Sequence, residues 1–146
     1  MNHNFTPKST ADMDNMLSRM HCLSQLEEYL QQEHIDEFPT ISSYLEYLLS
    51  IKGKEKSAVI QDALLQRNYG YQIFSGTRTP GRDKLIAICM ALGCNLEETQ
   101  RALSIAKEGK LYAKDARDSI LIFSIQKQQS VQATNQLLYE MNHACL

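Results

Sequence analysis

Residues 67–93, RNYGYQIFSGTRTPGRDKLIAICMALG, carry the strongest local signals in the chain and decide its fold. A short aromatic and polar run leads into the corner SGTRTPG at 75–81, which holds two of the six glycines and one of the three prolines. Glycine adopts positive φ angles that most residues avoid, and a Pro-Gly pair interrupts a helix. The stretch therefore predicts a short helix, a tight exposed loop that carries Arg78, and a second helix that begins near Arg82.

Helical patterns also dominate the sequence on both sides of this stretch. Apolar residues recur at three- and four-residue steps, which place them on one face of a helix, whereas no segment indicates a β-strand convincingly. The fold class predicted from these patterns is all-α. Besides the two helices above, the predicted helices are 11–32, 41–53, 57–66, 95–107, about 114–128 and 131–143.

Capping residues and breakers predict where these helices begin and end. Residues 1–10 are polar and predict a flexible tail, and the run IDEFP at 35–39 ends the first helix. Asn95 and Glu98 have the form of a capping box. The other predicted boundaries are an N-cap at Thr40, Ser42 or Ser43, a stop at Gly53, an N-cap at Ser57 and a stop at Gly109.

The first predicted helix has one apolar face. Such a stripe usually packs against a core, although its methionines also suit an adaptable surface for a partner protein. The stripe consists of Met13, Met16, Leu17, Met20, Leu23, Leu26 and Leu30.

The second half of the chain contains an internal repeat, because residues 82–111 align with residues 117–146 at an offset of 35 positions. The repeat indicates that one helix pair is used twice and that the tail is folded. We interpret the repeated Arg-Asp pairs as structural, since an acid favours a helix N-terminus and the arginine can pair with it or with a neighbour. Among the aligned residues, Arg82-Asp83 falls on Arg117-Asp118, Thr99 on Thr134 and Leu103 on Leu138.

The formal net charge of −2 conceals a strong asymmetry. Residues 1–51 carry two basic residues against eight acidic ones, a net charge of −6. Residues 52–84 carry seven basic residues against three acidic ones, a net charge of +4. The positive charge thus surrounds the opening stretch, which is where a nucleic-acid footprint would lie.

Composition argues against a membrane protein. A hydrophobic content of 43% and a charged content of 22% suit a soluble domain. No window approaches the roughly 18 apolar residues of a membrane span, and the N-terminus lacks the pattern of a signal peptide. We therefore expect a cytoplasmic protein that does not contact a membrane.

Motifs argue against an enzyme or a metal protein. The four cysteines form no CxxC pair, so we expect no metal site and reduced, mostly buried thiols. The four histidines lie toward the two ends of the chain, and no GxSxG, HExxH or GxxxxGK motif is present. We therefore expect neither catalysis nor a bound cofactor.

Three segments in the middle of the chain match a known pattern. They are YQIFSGTRTP at 71–80, KLIAI at 84–88 and ALGCNLEE at 91–98. Together they resemble the end of the recognition helix, the Gly-x-x-x-Pro loop and the following helix of the lambda-repressor-like (Cro/C1, or XRE) helix-turn-helix family. The resemblance covers residues 41–97. The sequence departs from the family pattern at Leu64, where the family usually has a glycine in its turn, and at Phe74, where it usually has a glutamate.

The resemblance implies a five-helix repressor-like core at residues 39–111. This core would follow a flexible tail and an amphipathic acidic helix at residues 1–38. A C-terminal helical hairpin at residues 112–146, which repeats residues 82–111, would pack on the core.

The resemblance also implies a set of DNA-contacting residues. Residues 57–64 would form the first helix of the bihelical motif, and residues 66–74 would contain the recognition helix that faces the major groove. Arginine, asparagine and glutamine side chains can read base edges, while helix N-termini and basic loops suit phosphates. The implied base contacts come from Arg67, Asn68, Tyr69 and Gln72, and the implied phosphate contacts from Lys56, Ser57, Thr77 and Arg78.

Two functions of different kinds are consistent with these features. The first is a sequence-specific transcriptional regulator that binds double-stranded DNA as a homodimer, because paired half-sites strengthen the binding of such modules. The second is a protein-protein interaction module that keeps the repressor-like fold without binding DNA. Its partner surface would be the Met-rich N-terminal helix or the C-terminal hairpin.

Overall fold

The computed structural model describes residues 9–32 and 38–146, and within these residues the chain is helical and contains no β-strand. The predicted all-α class is therefore confirmed. No described helix is both long enough and apolar enough to cross a membrane. The helices are α1 (Thr10–Ser18), α2 (Leu23–Gln32), α3 (Ile41–Ile51), α4 (Lys56–Asp62), α5 (Arg67–Ser75), α6 (Arg82–Leu92), α7 (Leu96–Ile105), α8 (Ala116–Gln126) and α9 (Val131–Glu140).

The chain divides into two compact units, residues 1–37 and residues 38–146. The predicted flexible tail falls mostly on residues 1–8, and most of the predicted break at 35–39 falls on residues 33–37. Both segments lie outside the described residues. At the end of the predicted tail, the Ser9 hydroxyl accepts a hydrogen bond from the backbone N–H of Asp12 at 3.1 Å and caps α1.

The prediction of one continuous helix over residues 11–32 is wrong, because α1 ends at Ser18 and α2 begins at Leu23. Arg19 closes α1 as its C-cap, and the backbone N–H of His21 donates to Oε1 of Gln25 at 2.8 Å. This side-chain acceptor satisfies an N–H group just ahead of α2, so the chain can restart a helix without glycine or proline. The expected burial of the apolar stripe also fails for α1, which has no buried residue.

The second unit has one hydrophobic core, with α6 at its centre. Helix α6 contacts α4, α7 and α9, and its residues from Leu85 to Cys89 are all buried. Helix α3 packs on α5 and α7, and its residues Leu45 and Leu48 are inaccessible to solvent. The predicted order of a short helix, a loop with Arg78 exposed and a second helix that begins near Arg82 is confirmed, since α5 ends at Ser75 and α6 begins at Arg82. Within the loop, Pro80 is buried.

Several of the predicted helix boundaries in this unit are confirmed, and others are wrong. The predicted helices 57–66 and 131–143 end earlier, at Asp62 and Glu140. Thr40 caps α3, and Asn95 with Glu98 forms the predicted capping box of α7. Ser57 does not cap α4, because the helix begins one residue earlier and Glu55 occupies the N-cap position. Helix α7 ends at Ile105, ahead of the predicted stop at Gly109.

The two helix pairs α6–α7 and α8–α9 share fine details of backbone structure. Gly93 and Gln128 occupy aligned positions after α6 and α8, and both have positive φ angles, 76° and 54°. Lys107 and Asn142 do the same after α7 and α9, with φ angles of 58° and 64°. Lysine, glutamine and asparagine thus take the left-handed conformation that usually calls for glycine. The repeat therefore extends to the backbone conformation at the C-terminal ends of all four helices.

The repeated Arg-Asp pairs form ion pairs between the two helix pairs. Arg82 donates to both carboxylate oxygens of Asp118 at 3.0 and 2.8 Å, and Arg117 donates to both oxygens of Asp83 at 3.0 and 3.1 Å. The contacts are reciprocal, as at the interface of a two-fold symmetric dimer. Helix α9 contacts α6, and α8 contacts α7. The chain thus pairs two copies of one hairpin within itself.

Candidate nucleic-acid interface

Helices α4 and α5 are joined by a four-residue turn, residues 63–66. Leu64 in this turn has a φ of 59°, and the backbone N–H of Leu65 donates to the carbonyl of Ile60 at 3.2 Å. A turn of three or four residues, often with glycine, joins the two helices of bihelical DNA-binding motifs. Leu64 therefore keeps the left-handed backbone at the position where the lambda-repressor-like pattern usually has glycine.

The four residues implied as base contacts lie on α5, and two of them are exposed. Arg67 and Asn68 are the first two residues of α5 and both are exposed. The guanidinium carbon of Arg67 lies 5.8 Å from the centre of the Tyr71 ring, an arrangement that favours a cation-π contact along the helix surface. Tyr69 and Gln72 are half-buried, and Tyr69 packs against the core.

The capping of α5 fixes the direction of its first turn. Gln66 is the N-cap, and its side-chain oxygen accepts a hydrogen bond from the backbone N–H of Tyr69 at 2.8 Å. Gly70, Ile73 and Phe74 are buried on the core side. The exposed first turn therefore presents the polar side chains of Arg67 and Asn68 to solvent.

The four residues implied as phosphate contacts lie at the start of α4 and in the loop after α5. Ser57, Thr77 and Arg78 are exposed. The Arg78 backbone N–H donates to the carbonyl of Gln72 at 3.1 Å, so the loop is tied to α5, while no described residue holds the Arg78 guanidinium. The Thr77 hydroxyl lies 2.9 Å from the hydroxyl of Ser75.

Lys56 is engaged inside the protein. Its Nζ lies 2.7 Å from Oε1 of Glu46 and 5.5 Å from the centre of the Phe74 ring. The ring contact also places the start of α4 beside the end of α5. Phe74, the departure from the family's glutamate, thus supplies an apolar surface under the lysine.

Three further basic residues of the +4 segment are held by partners within the chain. Lys52 pairs with Glu98 at 3.0 Å, and Nζ of Lys54 donates to the carbonyl of Ala91 at 3.4 Å. Arg82 is bound to Asp118. The positive charge open to a ligand is therefore smaller than the composition of the segment implies. The repeated Arg-Asp pairs in the sequence indicated that Arg82 has a structural partner, whereas no sequence feature indicated the partners of Lys52 and Lys54.

The loop that carries Arg78 ends at a charged cluster. Burial by itself would raise the pKa of the Asp118 carboxyl. Hydrogen bonds from Arg82 and from the backbone N–H of Tyr112, together with the charges of Arg82 and Arg117, hold the pKa of Asp118 below its usual value. The hydrogen bond to Asp118 likewise raises the pKa of Arg82. Both groups therefore stay charged throughout the neutral range.

The described residues contain no group of three or more His, Cys, Asp or Glu side chains arranged to hold a metal ion. The chain matches no protein-family model, no curated protein and no solved structure.

Proposed function

We propose that the protein is a sequence-specific DNA-binding regulator of transcription, with α3–α7 as a lambda-repressor-like five-helix core and α5 as the recognition helix. In this proposal Arg67, Asn68, Tyr69 and Gln72 read base edges. Ser57, Thr77 and Arg78 contact phosphates. The protein acts in the cytoplasm as a homodimer.

The observation that carries the proposal is the exposed first turn of α5. A helix that buries Gly70, Ile73 and Phe74 while presenting Arg67 and Asn68 at its N-terminal end suits insertion into the major groove, where such side chains make bidentate contacts to guanine and adenine. The short turn before α5 and the exposed Arg78 loop after it add support.

Contacts inside the chain restrict how a homodimer could form. The face of α8–α9 that meets α6–α7 is already covered, so a second copy has to use another surface. The Met-rich N-terminal helices and the outer face of the C-terminal hairpin, where Phe123 is 47% exposed, are the candidate surfaces.

A binding selection tests the proposal. The purified protein is mixed with genomic DNA fragments at about 50 mM salt, retained fragments are sequenced, and the affinity is measured up to about 200 mM salt, over which a protein with several phosphate contacts loses affinity steeply. We expect enrichment of a common sequence and weaker binding by the Arg67→Ala, Arg78→Ala double variant. The Lys110→Ala, Lys114→Ala double variant removes the same charge from two exposed lysines between α7 and α8 and is the matched control. Failure to retain any fragment at low salt would overturn the proposal.

A protein-protein interaction module is the second candidate. The observation that favours it is that Lys52, Lys54, Lys56 and Arg82 all have partners within the chain, which leaves a weaker electrostatic footprint for DNA. Recovery of a specific protein partner, combined with no DNA retention at low salt, would select this function.

A further inference from the structure

We propose that Asp118, in the C-terminal hairpin, is a positioning residue for the loop 76–81 and acts through Arg82. The inference rests on the proposed function, because this loop carries Arg78 and follows the recognition helix. Asp118 itself is buried and does not face the proposed interface as a contact residue.

Arg82 connects the loop to the hairpin. It is the first residue of α6 and directly follows the loop. Its guanidinium donates to both oxygens of Asp118, to the carbonyl of Gly109 at 2.8 Å and to the carbonyl of Lys110 at 3.2 Å. A bidentate arginine-carboxylate pair fixes orientation as well as distance. Four hydrogen bonds therefore hold the residue that follows the loop.

The start of α6 has no side-chain cap of its own. Its N-cap is Gly81, which offers no side chain, and the structure shows no side-chain hydrogen bond at this cap. Helix starts without a cap leave backbone N–H groups unsatisfied and fray more readily. The contact between Arg82 and Asp118 thus takes over the fixing role that a capping residue usually has.

Asp118 is in turn held by its own neighbours. One of its carboxylate oxygens accepts a hydrogen bond from the backbone N–H of Tyr112 at 2.9 Å, and its own backbone N–H donates to Oδ1 of Asp115 at 2.8 Å. The hairpin therefore supplies a rigid carboxylate, and the loop end is attached to it. Displacement of α8 would be transmitted to the loop through this pair.

The repeat provides a matched control in Arg117. This residue makes the same set of contacts, with both oxygens of Asp83 and with the carbonyls of Ala144 and Cys145 at 3.0 and 3.3 Å. Its carboxylate partner Asp83 is the second residue of α6, so loss of the Arg117 guanidinium releases the start of α6 at Asp83 and leaves the bonds of Arg82 in place. The variant therefore tests whether the attachment of Arg82 in particular orders the loop.

The experiment compares Asp118→Asn with Arg117→Gln by two measurements on the full chain. The first is hydrogen exchange of the Arg78 amide, whose N–H is bonded to Gln72. We expect Asp118→Asn to accelerate this exchange about tenfold. We expect Arg117→Gln to leave it within about twofold of wild type. If Asp118→Asn fails to fold, Arg82→Lys, which keeps the charge but loses the bidentate fork, is measured instead.

The second measurement is affinity for the DNA recovered in the selection. Asp118→Asn removes a negative charge, so electrostatics alone would tighten binding, whereas loss of positioning weakens it by about 3- to 10-fold. Arg117→Gln has the opposite charge effect, and we expect its affinity to stay within about twofold of wild type. Equal or tighter binding by Asp118→Asn, or unchanged exchange at Arg78, would overturn the inference. If wild-type protein binds no DNA, the proposed function fails, and the exchange measurement alone decides whether Asp118 positions the loop.

Discussion

Gly70 of α5 lies directly against Ile60 of α4. A β-carbon at Gly70 would lie 2.5 Å from Cγ2, 2.7 Å from Cγ1 and 2.9 Å from Cδ1 of Ile60, so only glycine allows the two helices to approach this closely. Glycine inside a helix costs about 1 kcal/mol relative to alanine. The close approach explains why α5 contains a residue that weakens it as an isolated helix.

We expect Gly70→Ala to lower the free energy of unfolding by about 1–3 kcal/mol, because overpacking at Ile60 outweighs the better helix propensity of alanine. Urea denaturation measures the change. Gly109→Ala is the control, since a β-carbon at this exposed loop position meets only Nε of Arg82, at an ordinary contact distance of 3.9 Å, and its effect should stay within about 0.5 kcal/mol. Ile60→Ala should make Gly70→Ala less harmful in the double variant. A Gly70→Ala protein as stable as wild type would contradict the contact.

At Leu64 a substitution is expected to stabilise the protein, in contrast to Gly70→Ala. Its φ of 59° is unfavourable for leucine, and its side chain is 55% exposed, so little packing is lost on truncation. We expect Leu64→Gly to raise the free energy of unfolding by about 1 kcal/mol, since glycine takes the left-handed conformation without steric cost. Leu64→Ala, which keeps a β-carbon, should give no such gain. A loss of stability in the glycine variant would show that the leucine side chain contributes more than its backbone costs.

Local signals in the sequence predicted the part of the fold that local physics determines. The helix boundaries on either side of the loop 76–81 follow from Gly76, which takes a positive φ angle, and from the Pro80-Gly81 pair, which interrupts a helix. The break between α1 and α2 carries no such signal, because it depends on a hydrogen bond from His21 to the side chain of Gln25. The end of α7 carries no sequence signal either, because Lys107, and not a glycine, takes the left-handed conformation after this helix.

In the candidate site, too, some features follow from the local sequence and others depend on tertiary contacts. Exposure of Arg67, Asn68 and Arg78 follows from their positions at a helix start and in a loop, and the structure agrees. The engagement of Lys56 by Glu46 could not be predicted, because the partner lies on another helix and charge counting treats every lysine as free. Composition therefore overestimates the charge that a surface offers to a ligand whenever the charged side chains form ion pairs within the fold.

The thiols offer a prediction that does not depend on function. The expectation of mostly buried cysteines is wrong for two of the four, because Cys22 and Cys145 are exposed while Cys89 and Cys94 are buried. Hydrogen bonds from the Ser24 hydroxyl and the Gln25 backbone lower the pKa of Cys22, whereas hydrogen bonding with Cys94 and burial raise the pKa of Cys89.

We expect a thiol-specific reagent to label Cys22 and Cys145 quickly in the native protein. Cys89 and Cys94 should react only after denaturation, because the thiolate is the reactive form and burial suppresses its formation and its access to the reagent. A reagent that releases a coloured thiolate on reaction allows the time course of labelling to be followed by absorbance. The Cys22→Ser, Cys145→Ser double variant should show no fast phase. Rapid labelling of all four thiols would contradict the burial of Cys89 and Cys94.

The phosphate contacts predict different salt dependences for two basic residues. Each phosphate contact adds about 0.9 to the slope of log affinity against log salt concentration on duplex DNA. We expect Arg78→Ala to reduce the slope by about this amount, because its guanidinium is exposed on the loop. Lys56→Ala should change the slope far less and instead lower stability by up to about 1 kcal/mol, since its ammonium is paired with Glu46. Equal slope changes in the two variants would show that the Glu46 pair opens when DNA binds.

The Arg82–Asp118 pair predicts how stability depends on pH. Since the pKa of Asp118 is lower in the folded protein than in the unfolded chain, the folded state binds fewer protons in this range and stability rises with pH. The contribution is fully present above the unfolded-state pKa of about 4 and is lost as the pH falls through the lower folded-state value. We expect wild type to lose more stability than Asp118→Asn between neutral pH and the acid limit, because the variant has no charge to neutralise. Urea denaturation at a series of pH values measures both curves, with the exposed Asp62→Asn as control. Parallel curves for wild type and Asp118→Asn would mean that the pair adds no pH-dependent stability.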